Sequence, residues 1–348
     1  MKKKNINVRK KTSNIFINYF QNKKILLAYE EFEKILKKEL KNTSFAVAVS
    51  GGPDSLALAY LSKCYAIQNN SRMSIFIVDH KLRNESSKEA KHVQKILNKN
   101  GLKSKILTWH SKKNLKNLQA NARENRFRLL IQACKSKKIK KLLIGHHNED
   151  LYENFFIRLF RGSGLKGLVS FGEINNNFMG ISILRPLINH KKKDLIYISK
   201  KIFKFYVSDP TNMDIKFQRS RVRKLIPELK KEGLDLKKLK LTINNLKSSD
   251  YAINYYVKKN IENNSKLLVG KNHYILNEEF FSKPSEIVLR SIFIVLNQIS
   301  GRFHSPRGKN TILAIENIKS GKSKKLTIGG CVIEKIKKTI VIFKEKRV

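Results

Sequence analysis

Two glycines and a proline separate two apolar stretches in the segment FAVAVSGGPDSLALAYL, residues 45–61. The first stretch is short and wholly apolar, which predicts a buried strand over residues 45–49. Pro53 follows where the first turn of a helix would begin, a position at which its missing amide proton is not needed. We therefore expect a buried strand to turn directly into a helix whose N-terminus faces the space above Ser50.

This predicted turn is suited to hold a phosphate group. A helix N-terminus carries unpaired N–H groups and a partial positive charge, and Gly51 and Gly52 let a bulky anion approach the backbone. The string SGGPDS lacks the Gly-Lys-Ser/Thr ending with which the common ATPase loop grips the outer phosphates. It suits an enzyme that attacks ATP at its inner phosphate and releases pyrophosphate. The alternative is an ordinary turn in which Asp54 and Ser55 only favour the first helical turn.

The order of the predicted elements indicates an α/β fold with a smaller second domain. The strands FAVAV, SIFIV, KILTW and KLLIG are each followed by a helical stretch, a pattern typical of a doubly wound, mostly parallel sheet. We expect Lys-rich helices after Pro227, over residues 228–262, and a β-hairpin at the C-terminus, with Gly329-Gly330 as a bulge or local turn. The expected regions are a basic arm over 1–24, an ATP-binding catalytic domain over 25–227 and a C-terminal domain over 228–348.

The composition narrows the class of partner. The 348 residues include 73 Lys and Arg against 27 Asp and Glu, a net charge of +46, which favours a polyanionic partner. Cys64, Cys134 and Cys331 are far apart and form no CxxC pair, which argues against a zinc ribbon or a disulfide framework. No uninterrupted apolar stretch reaches the length of about 18 residues that a membrane span requires. We expect a cytoplasmic protein.

Ionisable residues cluster after the predicted strands. The segment LLIGHHNEDLYENFFIRLFRGSGLKGL, residues 142–168, places two histidines and three acids just past a buried strand. Asp150 is expected to contact magnesium or substrate, and the histidine pair to cap or orient its neighbours. Arg158 and Arg161, beside a glycine-rich loop, are expected to contact phosphate or RNA. The segment NLQANARENRFRLL sets Arg123 and Arg126 on one helix face, where a guanidinium suits ATP phosphate or an RNA backbone.

These motifs together resemble the bacterial tRNA(Ile)-lysidine synthases of the PP-loop ATP pyrophosphatase superfamily. The similar segments are SGGPDS, VDHKLR, ARENRF, GHHNEDLYEN, RLFRGSGLKGL, RPL at 185–187, DPTN with FQRSRVR and IP at 209–227, and the tail TIGGCVIEKI. The resemblance implies a PP-loop, adenine nucleotide α-hydrolase-like fold. It also implies that ATP adenylates the wobble cytidine of the CAU-anticodon isoleucine tRNA and that free lysine then displaces AMP to give lysidine.

The resemblance also implies residue roles. ATP would be bound by Ser50, Gly51, Gly52, Pro53, Asp54 and Ser55; Asp54, Asp150 and Arg123 would be catalytic, with Mg²⁺ on Asp54 and Asp150; and substrate or tRNA would be contacted by Arg126, His147, Glu153, Arg158, Arg161, Arg185 and Arg219. The C-terminal domain would bind tRNA, and a homodimer stays open. The chain departs from the family pattern at Phe127, Glu149, Asn154 and Ser220.

Three other functions stay open at this point. A tRNA 2-thiolation enzyme of the same superfamily would normally bring cysteine pairs, which this sequence lacks. A metal-dependent phosphoesterase would use Asp79-His80 and His146-His147 as ligands. A non-enzymatic RNA-binding module would account for the charge but leaves the phosphate loop and its neighbouring acids without a purpose.

Overall fold

The computed structural model describes residues 18–40, 43–81, 85–109, 118–172, 174–178, 180–207, 214–301, 306 and 308–345. The chain divides into two compact units, Met1–Lys240 and Leu241–Val348. Within the described residues, no helix is long and apolar enough to cross a membrane. The family-like DPTN motif at 209–212, residues 1–17 of the expected basic arm over 1–24 and the side chain of Arg123 lie outside the described residues; the rest of the arm forms a short 3₁₀ helix, Tyr19–Gln21, and the start of the helix Lys23–Leu40.

The first unit consists of a six-stranded sheet and its flanking helices. Its strands are β1 (Phe45–Val49), β2 (Met73–Asp79), β3 (Ser104–Thr108), β4 (Lys141–Leu143), β5 (Ile174–Phe178) and β6 (Ile181–Leu184). Its helices are α1 (Lys23–Leu40), α2 (Pro53–Gln68), α3 (Ser86–Lys99), α4 (Leu118–Ser136), α5 (Asn148–Leu159), α6 (Leu165–Leu168), α7 (Lys192–Phe203) and α8 (Gln218–Lys231).

The sheet of the first unit has the strand order β3-β2-β1-β4-β6-β5. Strands β1, β2, β3, β4 and β6 pair in parallel, and β5 is an antiparallel edge strand on β6. The register sets Val49 opposite Ile77, so β1 and β2 end side by side, and β4 flanks β1 on its other side. The predicted doubly wound sheet is confirmed, and its carboxyl edge collects the turns that follow β1, β2 and β4.

Helix α2 is the central helix of this fold. Every side chain from Ser55 to Ser62 is buried, and so are those of Cys64 and Tyr65. A helix that is covered on all sides must be apolar around its whole circumference, which the sequence SLALAYL supplies. This burial fixes the helix axis, so the first turn at Pro53 has a defined position at the end of β1.

The second unit pairs a five-stranded antiparallel sheet with two helices. Its strand order is β7-β8-β11-β10-β9, with β7 (Ser265–Leu268), β8 (His273–Leu276), β9 (Lys325–Ile328), β10 (Cys331–Ile336) and β11 (Thr339–Lys344). Helices α10 (Ser285–Ser300) and α11 (Gly308–Lys319) bury Ile292, Leu296 and Ile318 in its core. Helix α9 (Leu236–Asn264) contains the boundary between the two units.

The structure corrects two expectations for the C-terminal half. The tail forms the expected hairpin, β10–β11, but Gly329 and Gly330, at φ +63° and +78°, connect a further strand, β9, and the four-residue strands β7 and β8 complete the sheet. Such short strands carry little periodic signal. The Lys-rich helices expected over 228–262 are present as the end of α8 and most of α9, but Pro227 does not mark their start, because it lies inside α8. Helix α8 begins at Gln218 and contains Arg219 and Arg223, which pair with the buried Glu153.

Candidate active site

The hydroxyl of Ser55 closes the SGGPDS loop. The backbone N–H groups of Ser50 and Gly51 each donate to Ser55 Oγ at 3.1 Å, and Ser55 Oγ donates to the carbonyl of Gly52 at 2.9 Å. Pro53 stands at the first position of α2, as its fixed φ favours, and its carbonyl accepts from Ser199 Oγ at 2.5 Å. Ser55 therefore shapes the loop that the sequence predicted to bind ATP.

The two glycines of this loop serve different purposes. Gly51 has φ +90°, and a Cβ atom there would lie 2.5 Å from Val93 Cγ2, so this position requires glycine for both conformation and packing. Its carbonyl also accepts from Val207 N at 2.9 Å. A Cβ on Gly52 would meet only Ser50 Oγ, at 3.8 Å. Gly52 thus leaves open space at the N-terminus of α2, where an anion would bind.

A pocket opens beside the loop at the carboxyl edge of the sheet. Apolar side chains from β1, β2 and α4 line it together with a few polar and charged groups. Its lining residues are Ala48, Val49, Ser50, Gly52, Asp54, Ser55, Phe76, Val78, His80, Arg126, Phe127, Leu130, Ile144, Gly145 and His146. An apolar cleft with a few convergent polar groups next to an anion site is suited to a nucleotide.

The turn after β2 presents a neutral histidine to this pocket. Asp79 accepts from Lys81 N, Ser86 Oγ and Ser87 Oγ at 3.0, 3.0 and 2.6 Å, so it fixes the turn and the start of α3. Burial by itself would raise the pKa of Asp79, but the hydrogen bonds from these donors outweigh it. The pKa of Asp79 therefore lies below its ordinary value. Burial and the charge of Arg126 lower the pKa of His80 to about 4.

His147 links the loop to helix α5. It is the N-cap of α5: its Nδ1 accepts from Glu149 N at 3.2 Å, while its own N–H donates to Asp150 Oδ2 at 2.9 Å, a reciprocal capping box. Because Nδ1 is an acceptor, the ring proton is on Nε2 in the neutral form. His147 Nε2 lies 3.6 Å from both Asp54 Oδ2 and Asp150 Oδ2. The predicted orienting role of this histidine thus has a defined geometry between two carboxylates.

The two carboxylates at this site differ in their electrostatics. Burial raises the pKa of Asp54, and the negative charge of Asp150 adds to the increase while His147 opposes it. Burial also disfavours the ionised form of Asp150, but His147 and Arg219 outweigh it, so the pKa of Asp150 is lowered. Both Asp150 oxygens accept hydrogen bonds, from His147 N and Arg219, whereas Asp54 Oδ1 is buried without a partner among the described residues.

This arrangement fits a magnesium ion that arrives with ATP. Mg²⁺ is usually held by one or two carboxylates, several waters and substrate phosphates rather than by an all-protein cage. Asp54 offers an oxygen that lacks a partner among the described residues, and Asp54 Oδ2 and Asp150 Oδ2 each lie 3.6 Å from His147 Nε2. Among the described residues, no group of three or more His, Cys, Asp and Glu side chains is arranged to hold a metal. The donors of this site therefore fit a magnesium ion whose other ligands are phosphates and waters.

Glu153 ties α5 to α8 through two arginines. Its side chain is 1% exposed; Oε2 accepts from Arg219 Nε at 2.6 Å, and Oε1 accepts from Arg223 Nε at 2.6 Å. Arg219 continues to Asp150 Oδ1 at 3.0 Å. The hydrogen bond to Glu153 raises the pKa of Arg223, although burial opposes it. These contacts place α8 against the acidic end of α5.

The C-terminal end of α5 is basic and exposed. Ser163 N donates to the carbonyl of Arg158 at 3.0 Å and Gly162 N to that of Leu159 at 2.9 Å, which is a Schellman motif with Gly162 at φ +63°. Arg158 is exposed, and Arg161 donates to Gln218 Oε1 on α8 through Nε and Nη2 at 3.1 and 2.6 Å. Both arginines are exposed, and their expected contact with phosphate or RNA stays a prediction.

Arg185 lies below the surface, beside the second histidine. It is 5% exposed, its guanidinium lies 4.7 Å from the ring centroid of Phe171, and it donates to the carbonyl of Gly172 at 3.0 Å. Its Nε donates to His146 Nδ1 at 3.3 Å, so it orients a histidine that lines the pocket. Its predicted contact with substrate or tRNA stays a prediction.

Two residues of this site were missed in the sequence. Arg223 completes the pairing of Glu153, and the signal was present, because it follows Arg219 by one helical turn in FQRSRVR. Gly145 allows the end of β4 to approach α2, since a Cβ there would lie 3.1 Å from the backbone of Asp54 and Ser55. Its signal was a glycine directly after a buried strand.

Comparisons with known proteins identify the family of this chain. A family model described as a PP-loop domain matches residues 26–229. The tRNA(Ile)-lysidine synthase of Wolbachia pipientis wMel is 34% identical over 87% of this chain and 71% of its own length. This chain belongs to the tRNA(Ile)-lysidine synthase family. The synthases of Rickettsia felis and Orientia tsutsugamushi are each 32% identical, over 92% and 95% of this chain and 74% of their own lengths.

A structural comparison gives the same fold. The tRNA thiolase NcsA of Methanococcus maripaludis superimposes with a TM-score of 0.55 at 19% identity, covering 65% of this chain and 78% of the thiolase. At this identity the likeness shows the fold alone. The family assignment and the PP-loop fold that were expected from the motifs are thus confirmed, and the chain is an enzyme with an ATP-using domain.

Proposed function

We propose that this enzyme ligates free lysine to the wobble cytidine of the CAU-anticodon isoleucine tRNA. The cytosine carbonyl oxygen attacks the α-phosphate of ATP and pyrophosphate leaves; the ε-amine of lysine then attacks the activated ring carbon, loses a proton and expels AMP. The observation that carries the proposal is the helix-capping loop without a P-loop lysine, set beside Asp54, His147 and Asp150, in a chain whose relatives are named tRNA(Ile)-lysidine synthase.

The site supports a division of roles for the first step. The open side of Gly52 and the N-terminus of α2 would receive the phosphates. Asp54, with its unpartnered oxygen, and Asp150 would hold the magnesium that screens phosphate charge. Arg126 lines the pocket and would contact substrate. His147 keeps the two carboxylates at a fixed separation, which supports in-line positioning of the reacting groups.

The proposed partner is tRNA, and we assign a different role to each of the two proposed domains. The net charge of +46 supports binding to a polyanion. We assign adenylation to the catalytic domain over residues 25–227 and the gripping of tRNA to residues 228–348, which contain lysines but no SGGPDS-like loop. The three cysteines are free thiols and buried, which supports a reducing compartment such as the cytoplasm. A homodimer stays a prediction that sedimentation of the purified protein measures.

The test is mass analysis of nucleosides. The protein is incubated with CAU-anticodon isoleucine tRNA, ATP, Mg²⁺ and isotope-labelled lysine, and the tRNA is then digested. We expect one cytidine per tRNA to gain the mass of lysine less one water, with the label retained and one AMP and one pyrophosphate formed. The Asp54→Asn variant is the matched control. A modified nucleoside that forms without lysine, or unchanged cytidine with intact ATP, would overturn the proposal.

A further inference from the structure

Among the phenylalanine, tyrosine and tryptophan side chains of the first unit whose burial the structure describes, Phe160 is the one that is exposed. It is 54% exposed, whereas the single tryptophan, Trp109, is 8% exposed and the neighbouring Phe156 is 7% exposed. Phe160 is the C-cap of α5, and its ring stands 6.1 Å from that of Phe156, centroid to centroid. A large apolar ring left in water at a helix end is a candidate contact surface.

The surroundings of this ring are basic. Arg158 and Arg161 flank it in sequence, and both are exposed. They lie at the C-terminus of α5, where the helix dipole favours positive charge. The Schellman turn at Gly162 ends the helix directly after them, so an exposed ring and two exposed arginines lie within four consecutive residues at one helix end. An exposed aromatic ring near cationic side chains is the combination that binds unpaired nucleotides.

A short series of contacts joins this helix end to the acidic site. Arg161 donates to Gln218, the next residue in α8 is Arg219, and Arg219 donates to Asp150. Helix α5 also runs directly from Asp150 to Phe160, a rise of about 15 Å at 1.5 Å per residue. An unpaired loop can span this distance within one to a few nucleotides when its bases are splayed apart. A tRNA whose wobble base reaches Asp150 would therefore bring neighbouring loop nucleotides to Phe160.

We propose that Phe160 is a stacking platform for an unpaired anticodon-loop base next to the wobble cytidine, with Arg158 and Arg161 contacting the adjoining phosphates. The proposal rests on the proposed function, because it takes the wobble base as the reacting group. Loop bases are unstacked and are recognised by aromatic faces and guanidinium planes. Stacking of one neighbour would fix the direction in which the wobble base enters the site.

The experiment measures tRNA affinity in a double-mutant cycle. Phe160→Ala is combined with CAU-anticodon isoleucine tRNAs that lack the base at one or the other nucleotide flanking the wobble position. We expect Phe160→Ala to weaken binding of intact tRNA about tenfold, and to have no further effect on the tRNA that lacks the stacked base. Phe160→Trp should restore affinity to within about twofold. Leu159→Ala, a neighbouring exposed apolar side chain, is the matched control and should bind as the wild type does.

Salt dependence separates stacking from charge. Phe160→Ala should leave the slope of log affinity against log salt unchanged, whereas Arg158→Gln should reduce its magnitude by about one. The proposal is overturned if neither abasic tRNA cancels the Phe160→Ala effect, or if Phe160→Ala binds tRNA normally but converts a dimer to a monomer in sedimentation. If the base coupling is present and no lysidine forms, the platform stands and the proposed reaction fails.

Discussion

The two ends of helix α5 differ in almost every physical property. At the N-terminal end, His147 and Asp150 are 2% and 8% exposed and lie against Asp54. At the C-terminal end, Arg158 and Phe160 are exposed. Acids at the start of a helix and cations at its end both agree with the helix dipole, so one helix stabilises both groups. A single helix therefore holds a buried carboxylate site and a basic surface at a fixed separation.

The first prediction removes charge from the buried end. Asp54→Asn should lower the rate of tRNA-dependent pyrophosphate release by at least about a hundredfold, because a magnesium ion facing several phosphate charges loses a carboxylate. The side chain keeps its size, so the melting temperature should stay within a few degrees of wild type. Rates of pyrophosphate release are measured at saturating ATP. Pyrophosphate release at the wild-type rate in this variant would contradict the proposed role of Asp54 in holding magnesium.

The second prediction concerns the basic surface. A protein with a net charge of +46 is expected to neutralise on the order of six or more phosphates, so tRNA affinity should fall roughly a thousandfold between about 50 and 200 mM salt. Filter binding at a series of salt concentrations gives the slope. ATP affinity of the free protein serves as the control and should change far less. If tRNA affinity changed as little with salt as ATP affinity does, the positive charge would have to serve a purpose other than tRNA binding.

The third prediction tests the link that holds α8 to α5. Glu153→Gln leaves Arg219 and Arg223 without their shared anion, and it should lower the free energy of unfolding by about 2 kcal/mol, since both arginines are only about a third exposed. Glu262→Gln is the matched control. Glu262 also pairs with two cations, Lys258 and Lys259, but its side chain is 44% exposed, so the loss should be within about 0.5 kcal/mol. Denaturant unfolding measures both, and equal losses would refute the distinction.

The smallest expected effect is a pH dependence at the pocket. The pKa of His80 is about 4 in the folded chain, below its ordinary value, so the unfolded chain takes up a proton first as the pH falls. Stability should therefore be lost between about pH 6.5 and pH 4. His80 is half-buried, so we expect a loss of about 1 kcal/mol between pH 7 and pH 5 that is missing in His80→Gln. Denaturant unfolding of the wild type and of His80→Gln at pH 7 and pH 5 measures this loss. An equal loss of stability in the two proteins would count against the prediction.

Several local features of the fold and of the candidate site could be predicted from the sequence. The strand, the two glycines and Pro53 define the start of α2 because each acts through local backbone preferences. The acids and arginines of α5 are close together in the chain, so their positions on one helix follow from helical spacing. The second glycine pair, Gly329-Gly330, was assigned to a local turn, but the strand before it was not found, because four-residue strands owe their pairing to distant partners.

The pairings between distant segments could not be predicted. Glu153 was expected to contact substrate, yet in this structure both its oxygens accept from Arg219 and Arg223, which lie 66 and 70 residues away. Arg185 was assigned to substrate or tRNA and packs on Phe171 beside His146. The sequence identifies which residues are charged, but burial and tertiary packing decide which of them form ion pairs with each other.

The most direct test of the division along α5 is the rate of pyrophosphate release at saturating tRNA. Weak tRNA binding is overcome by excess tRNA, whereas a damaged adenylation site is not. We expect Asp150→Asn to remain slow at every tRNA concentration and Arg158→Gln to reach the wild-type rate once tRNA is saturating. A persistently slow Arg158→Gln variant, or an Asp150→Asn variant that excess tRNA restores, would contradict the assignment of chemistry to one end of the helix and RNA binding to the other.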